Sequence, residues 1–217
     1  MSDDHPAWKL ALFDLDGTLV NTIDLIVQGF TEAYAQVLGV DIPRRKVLTF
    51  IGLPMPDVMA AEAPEHSEQM QDCYYAYINA HHDEMVRPYP GMVELVTELA
   101  ERGVQTAVVT AKRTPLATHG LRLTGYPETI SVVSGMEDTV KHKPEPEPLL
   151  AGLAKVGVQP SEAVYIGDAI YDLQAAAAVP MDAIGVTWGA GEEAAMADQR
   201  PMAMVNSAAE LRRALLG

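Results

Sequence analysis

The chain contains a single cysteine, Cys73, among 217 residues, so no disulfide can form within it, and no second thiol is present for a metal knuckle or a redox pair. That usage suits a reducing compartment, with Cys73 read as a packing residue rather than a nucleophile. Positive charge is also scarce: 15 Lys and Arg stand against 30 Asp and Glu, a formal net charge of −15. Phosphate backbones are bound through accumulated lysine and arginine, so this balance argues against a nucleic-acid partner. Long apolar runs are missing too, and nothing approaches the length of a membrane span. Met1–Lys9 carries Asp3 and Asp4 and lacks the basic-then-apolar pattern of a signal peptide. Repeats, low-complexity tracts and heptads are absent. The expectation is a cytoplasmic protein with neither membrane nor nucleic-acid partners, and the pattern is compatible with a monomer or a dimer.

What is present is an ordinary globular balance of 48% hydrophobic and 21% charged residues, on a chain long enough for one large core or a core with a modest insert. The run Leu10–Phe13 is short, apolar and closed by the polar turn Asp14-Leu15-Asp16-Gly17-Thr18, which reads as a strand buried on both faces. Similar strands are expected at 106–109, 131–133, 163–166 and 183–186, alternating with helices at 91–102, 114–123, 147–156 and 172–177. Alternation of this kind predicts an α/β fold, a Rossmann-like parallel sheet with helices on both faces. Between residues 19 and 87 the periodicity turns helical, as in 24–38 and 67–84, without a convincing buried strand. An all-helical cap domain, 19–87, is therefore expected inside a core made of 1–18 and 88–217, with the stiff Arg87-Pro88-Tyr89-Pro90-Gly91 segment at its edge.

Polar residues of distinct kinds stand at the strand ends or in the loops that follow: Asp14 and Asp16, Thr110, Lys143, and Asp168 with Asp172. In an open parallel sheet, ligands bind beyond the carboxyl ends of the strands, where these separated positions can converge. Carboxylates gathered there repel one another unless a cation sits among them, and all-oxygen ligation suits Mg²⁺. A carboxylate beside such an ion is a competent nucleophile toward phosphorus. A phosphoryl group in transfer spreads negative charge over three oxygens, which Mg²⁺, Lys143, the Thr110 hydroxyl and loop amides would meet. Taken singly, Thr110 reads as a strand-end threonine, Lys143 as a solvated lysine and Asp172 as a helix cap. It is their joint occurrence that points to a site. Asp14–Thr18 does not read as a calcium loop, because its glycine comes too early and Leu25 occupies the twelfth position. The six histidines show no metal-binding spacing, and His81-His82 is expected on a helix surface. Arg44-Arg45-Lys46 reads as a solvated face that could also lend a cation to a bound anion.

Together, Asp14-Leu15-Asp16-Gly17-Thr18, Thr110, Lys143-Pro144 and Gly167-Asp168-Ala169-Ile170-Tyr171-Asp172 resemble the haloacid dehalogenase-like hydrolases, in the order that family uses and over nearly the whole chain. The resemblance implies a Mg²⁺-dependent phosphatase acting on a small phosphorylated metabolite. It makes Asp14 the nucleophile and Asp16 the acid that protonates the leaving group and then activates water. Thr110 would bind the transferring phosphoryl oxygen, and Lys143 would neutralise Asp14 and phosphate. Mg²⁺ would rest on Asp14, the Asp16 main-chain carbonyl and Asp168, with Asp172 in support. Within the family, Asp16 speaks for phosphate chemistry, since members that cleave carbon–halogen bonds lack it. The sequence departs from many relatives at Ala111, often asparagine, and at Ala169, often polar. It resembles both the phosphoglycolate phosphatases and the family's pyrophosphatases, which leaves 2-phosphoglycolate and pyrophosphate as substrates of equal standing. A β-phosphoglucomutase-like phosphomutase is the alternative within the superfamily. A receiver-type, non-catalytic phosphate-responsive regulator fits less well, because there the phosphorylated aspartate follows the acidic pair.

Overall fold

In the computed structural model, which describes residues 7–217, Leu10–Phe13 forms strand β1 with all four side chains buried. Residues 1–6, which the sequence assigns to the core and which bear on targeting, lie outside the described residues. Next come β2 (Val20–Asn21), helices α1 (Ile23–Ala33), α2 (Arg44–Leu48), α3 (Met55–Glu62) and α4 (Ser67–Met85), and β3 (Arg87–Pro88). The remainder alternates as α5 (Met92–Glu101), β4 (Gln105–Val109), α6 (Thr114–Leu123), β5 (Ser131–Ser134), α7 (Glu147–Val156), β6 (Ala163–Gly167), α8 (Ile170–Ala178), β7 (Asp182–Val186), α9 (Glu193–Ala197), β8 (Ala203–Val205) and α10 (Ala208–Leu216). Six strands pair in parallel in the order β5-β4-β1-β6-β7-β8.

Successive side chains of a strand point to opposite faces, and β1 divides accordingly. Ala11 and Phe13 enter one apolar cluster with Val108, Val164, Ile166 and Ile184, while Leu10 and Leu12 enter another with Val109, Tyr165 and Ala183. The first cluster is closed by α5 and α10 through Leu95, Leu99, Leu211 and Leu215, the second by α7 and α8 through Leu149, Leu153 and Leu173. Helices therefore cover both faces, which explains why the strands read as uninterrupted apolar runs. From β1 the chain steps outward to β4 and β5, then returns to β6 on the other flank and continues to β7 and β8. The order reverses between β1 and β6, and their carboxyl ends lie side by side, with Phe13 opposite Ile166.

The five core strands and four core helices expected from periodicity are present, with ends moved by a residue or two. Four short helices, α2, α3, α9 and α10, and the three-residue strand β8 are additions; of these, the five-residue α2 and α9 and the strand β8 are too short to give a periodicity to read. The stretch 24–38, expected as one helix, is α1 followed by a wider π-helical turn over Tyr34–Leu38, stopped at Gly39 in the left-handed region. A two-residue ribbon, β2 against β3, also joins the two chain crossings at the base of the helical segment, with Val20 opposite Pro88.

Within that segment α1 lies along α4. Gly29 makes the approach possible, since a Cβ there would stand 2.9 Å from the Tyr74 ring. Next to it Phe30 meets the same ring edge-on at 5.2 Å between centroids. His82, near the end of α4, is only 3% exposed, which corrects the expected surface placement. One face of α4 packs against the rest of the chain, and position 82 falls on it together with Tyr74 and Ile78.

Leu12 is fully buried at the centre of the sheet, so Leu12→Ala should cost about 2–5 kcal/mol of stability. The measurement is the urea midpoint at unchanged denaturant slope.

Candidate active site

The register of β1 and β6 places the residues that follow them together. The Asp14 amide donates to the Ile166 carbonyl at 2.8 Å, so Asp14 emerges from β1 beside Gly167, and Asp168 comes next on the neighbouring loop. Asp14, Asp168 and Asp172 are all buried, and one carboxylate oxygen of each lies within 4.8 Å of the others. Two glycines allow this crowding. Gly17, at φ +85°, would put a Cβ 2.2 Å from Asp168 Oδ2, and a Cβ on Gly167 would fall 2.4 Å from the Asp172 side chain.

Each carboxylate is fixed differently. Asp168 accepts from the Thr18 hydroxyl at 2.9 Å and the Ala190 amide at 2.8 Å. Asp172, in the first turn of α8, accepts from the Ala169 amide at 3.0 Å and from Lys143 Nζ at 2.6 Å. It therefore caps its helix and holds the lysine at once. Lys143 Nζ also stands 3.2 Å from the Tyr165 hydroxyl and 3.0 Å from Asp14 Oδ1. The last contact is an ion pair rather than a well-directed hydrogen bond, so among the described residues Asp14 Oδ1 is buried beside the ammonium with no hydrogen-bond donor in line.

Burial pushes the Asp14 carboxyl up to about 7; Lys143 opposes the rise, while Asp172 and Asp16 add to it. Burial likewise holds Asp168 well above the usual carboxylate range, reinforced by Asp172 and Asp14 and opposed by the Ala190 amide and Thr18. For Lys143 burial works in the opposite sense, favouring the neutral amine, yet Asp14 and Asp172 outweigh it and keep the ammonium well above its ordinary pKa. Three buried carboxylates thus share one buried ammonium. The excess negative charge, the hard oxygen donors and the orphaned Asp14 Oδ1 fit a small divalent cation.

Asp16 lies one turn outward. Its Oδ1 accepts from Thr22 Oγ1 and from Lys112 Nζ, both at 2.6 Å. Thr110, at the end of β4, is buried, and its hydroxyl accepts from the Lys112 amide at 3.2 Å. Asp14, Asp16, Thr110, Lys112 and Arg113 line a cavity of about 60 Å³ whose opposite wall is formed by α4, with Tyr74 and Tyr75, and by the turn between α2 and α3, with Phe50 and Leu53. The Arg113 guanidinium stacks over the Tyr75 ring, 4.2 Å from its centroid.

All six residues expected from the sequence reach this region. Asp14, Lys143, Asp168 and Asp172 form its buried floor, and Asp16 and Thr110 its rim. Arg44, Arg45 and Lys46 do not line the cavity; Arg44 pairs with Asp24 at 2.7 Å and Lys46 with Glu62. Sequence reasoning gave no role to Thr18, Thr22, Lys112 or Tyr165. Thr18 belonged to the first motif and Lys112 followed a strand end, so position offered a signal for both. Tyr165 looked like any core residue of an apolar strand.

With this fold and this cluster in place, comparison with known proteins gives the class. The chain belongs to the haloacid dehalogenase-like hydrolase family, whose model matches residues 11–186, and it is a hydrolase of that family. It is 32% identical over 200 residues to pyrophosphatase PpaX of Bacillus pumilus, covering 92% of this chain and 93% of that protein. To pyrophosphatase PpaX of Anoxybacillus flavithermus it is 34% identical over 200 residues, with the same coverage. Among solved structures, a haloacid dehalogenase-like hydrolase from Streptococcus pneumoniae superposes with a TM-score of 0.86 at 23% identity, over 96% of this chain and 98% of that one. A predicted phosphoglycolate phosphatase from Haemophilus somnus gives 0.84 at 24%, with the same two shares. The two structures share the fold.

The raised Asp14 pKa has a signed consequence for the metal-free protein. Between its ordinary 3.8 and about 7, the folded chain keeps a proton that the unfolded chain has released. Stability from this group is therefore fully present below pH 3.8 and declines as pH rises through the window. Asp168 acts in the same direction. Urea titrations in EDTA across pH 4–7 should show this downward slope, and Asp14→Asn should make it shallower.

Proposed function

We propose that this chain is a Mg²⁺-dependent phosphatase acting on a small phosphorylated substrate, and that pyrophosphate is that substrate. The observation that carries the reading is Asp14: a buried carboxylate with one oxygen that lacks a hydrogen-bond donor in line, beside a buried lysine and two further aspartates, at the floor of a small cavity. Asp14, Asp168 and the Asp16 main-chain carbonyl would hold Mg²⁺, with Asp172 supporting through Lys143. The ion, when bound, supplies positive charge to the phosphoryl oxygens and keeps Asp14 ionised.

Asp14 attacks phosphorus, and the bond from phosphorus to the leaving oxygen breaks. Asp16 delivers a proton to that oxygen. Asp16 then takes a proton from water, which attacks the phosphoryl-aspartate and frees Asp14. General acid–base help of this kind contributes about a hundred- to ten-thousandfold. Lys143 balances the charge of Asp14 and the phosphoryl group, and the Thr110 hydroxyl donates to a phosphoryl oxygen. The helical part, 19–87, acts as a cap over the core formed by 1–18 and 88–217, flexing at the β2/β3 ribbon to admit substrate and exclude water.

Pyrophosphate is favoured over 2-phosphoglycolate for two reasons. The PpaX relatives are named as pyrophosphatases, and the cavity offers two cations beyond the floor, Lys112 and Arg113. A second phosphate carries more charge than a carboxylate and uses both. The small cavity also speaks against nucleotides and sugar phosphates.

The test is phosphate release from pyrophosphate, 2-phosphoglycolate, sugar phosphates and nucleotides, with Mg²⁺ and with EDTA. Turnover should require the metal and be fastest on pyrophosphate. Asp14→Asn should fold and lose nearly all turnover, because an amide is a poor nucleophile; wild-type rates in that variant would sink the mechanism. Lys112→Met should raise KM for pyrophosphate by about tenfold or more, the loss expected for a charge-assisted hydrogen bond, and change KM for 2-phosphoglycolate less. Phosphate transfer between sugar phosphates without net release would point to a phosphomutase.

A further inference from the structure

Away from the aspartate cluster, a second group of ligand-type side chains sits where the helical segment meets the sheet-bearing part. His82 and Asp83 end α4, and His119 projects from α6. Asp83 Oδ1 lies 2.9 Å from His82 Nδ1 and 2.7 Å from His119 Nε2. The two imidazole rings are 5.3 Å apart between centroids and tilted by 35°. All three donor atoms fall within 4.8 Å of one another. The arrangement is graded in burial: the His82 side chain is 4% exposed, while those of Asp83 and His119 are 60% and 51% exposed. One ligand is thus locked by packing, and the other two can adjust while leaving a face open to water.

We propose that His82, Asp83 and His119 form a binding site for a first-row transition metal, with Zn²⁺ the best match, tying α4 to α6. Two imidazole nitrogens and one carboxylate oxygen suit Zn²⁺, Co²⁺ or Ni²⁺ and not Mg²⁺, which takes oxygen donors and keeps its waters. Three protein ligands with an open fourth position is a common Zn²⁺ arrangement. Ligand atoms about 2.0–2.1 Å from a tetrahedral ion stand about 3.3 Å apart, so the observed 2.7–2.9 Å must widen by roughly half an ångström. Rotation of the exposed Asp83 and His119 side chains accomplishes this without moving either helix. On its far side His82 Nε2 faces Gly120, where even an added Cβ would be no closer than 3.7 Å. The ring therefore has room to carry its remaining proton there while Nδ1 binds metal.

The site has a mechanical consequence. α6 follows directly on the loop Thr110–Arg113 that lines the catalytic cavity, and α4 supplies Tyr74 and Tyr75 to the opposite wall. A metal held by both helices fixes those walls relative to each other. Bound Zn²⁺ should therefore slow any step that needs them to separate, even while the aspartate cluster is occupied by Mg²⁺.

The test uses the full chain with millimolar Mg²⁺ present, titrated with Co²⁺ for its visible absorption and with Zn²⁺ by calorimetry. The wild type should bind one equivalent and show the absorption of a four-coordinate nitrogen–oxygen Co²⁺ site. His119→Ala alters an exposed side chain and should fold; it should weaken binding by about a hundredfold or more, at least as much as losing a residue that merely supports a ligand. Asp168→Asn, in the aspartate cluster, should bind Co²⁺ like the wild type, which separates this site from the catalytic reading. A wild type that gives no such absorption, or a His119→Ala variant that binds equally well, would overturn the proposal and leave the three side chains as a hydrogen-bonded contact between two helices.

Discussion

Three carboxylates and one ammonium are buried together at the point where the strand order reverses, and the surrounding structure is organised around making that tolerable. Removing a charge from water costs several kcal/mol unless it is paired and hydrogen-bonded. Lys143 offsets two of the aspartates, the Ala169 and Ala190 amides and the Thr18 hydroxyl satisfy others, and among the described residues Asp14 Oδ1 has the ammonium beside it and no hydrogen-bond donor in line. The remaining imbalance is of the kind that a bound cation would offset. Glycine at 17 and 167 follows from the same constraint, because any side chain there would occupy the space of a carboxylate. Tyr165 shows how far the constraint reaches into the core: its ring packs with Leu12 and Leu153, while its hydroxyl donates to the Val109 carbonyl at 3.0 Å and lies next to Lys143.

Around this floor the helical segment supplies a wall rich in aromatic and aliphatic side chains, and the rest of the chain supplies the charges. The division is physically economical. Apolar walls exclude water and strengthen every electrostatic interaction inside, whereas the groups that handle charge stand on strand ends and the loops just beyond them, held by the sheet. The contacts between the two parts are of mixed character: Arg113 over Tyr75, the Tyr171 hydroxyl donating to the Thr49 carbonyl at 2.9 Å, and Asp83 with His119. Polar and partly exposed contacts of this kind separate at lower cost than an apolar interface of equal size.

Much of this was legible in the residues. β1 was readable to the residue because a four-residue apolar run between polar turns has few alternatives, and α6 and α7 were readable from the alternation of helical and strand patterns. The six polar residues were legible because the alternation of strands and helices told where strand ends must converge. Harder to see were β8 and the five-residue helices α2 and α9, which leave no periodic trace. His82 was misread for a related reason: adjacent histidines on a helix look equivalent until the packing face is known. Lys112 was visible as a residue beside Thr110, but nothing in the chain indicates that its ammonium turns back onto Asp16.

The sequence by itself determined the α/β class, the parallel sheet, the helical insertion after the first strand and the set of side chains available for chemistry, because hydrophobic periodicity and turn residues are local properties. Only the tertiary structure decided which charges neutralise which: that Asp172 serves Lys143 as well as its helix, that a buried Asp14 oxygen lacks a hydrogen-bond donor in line among the described residues, and that His82 and His119 meet across 37 residues of chain. Pairing of this kind depends on strand register and helix packing. Those are settled by the whole set of buried contacts at once, and no stretch of sequence contains them.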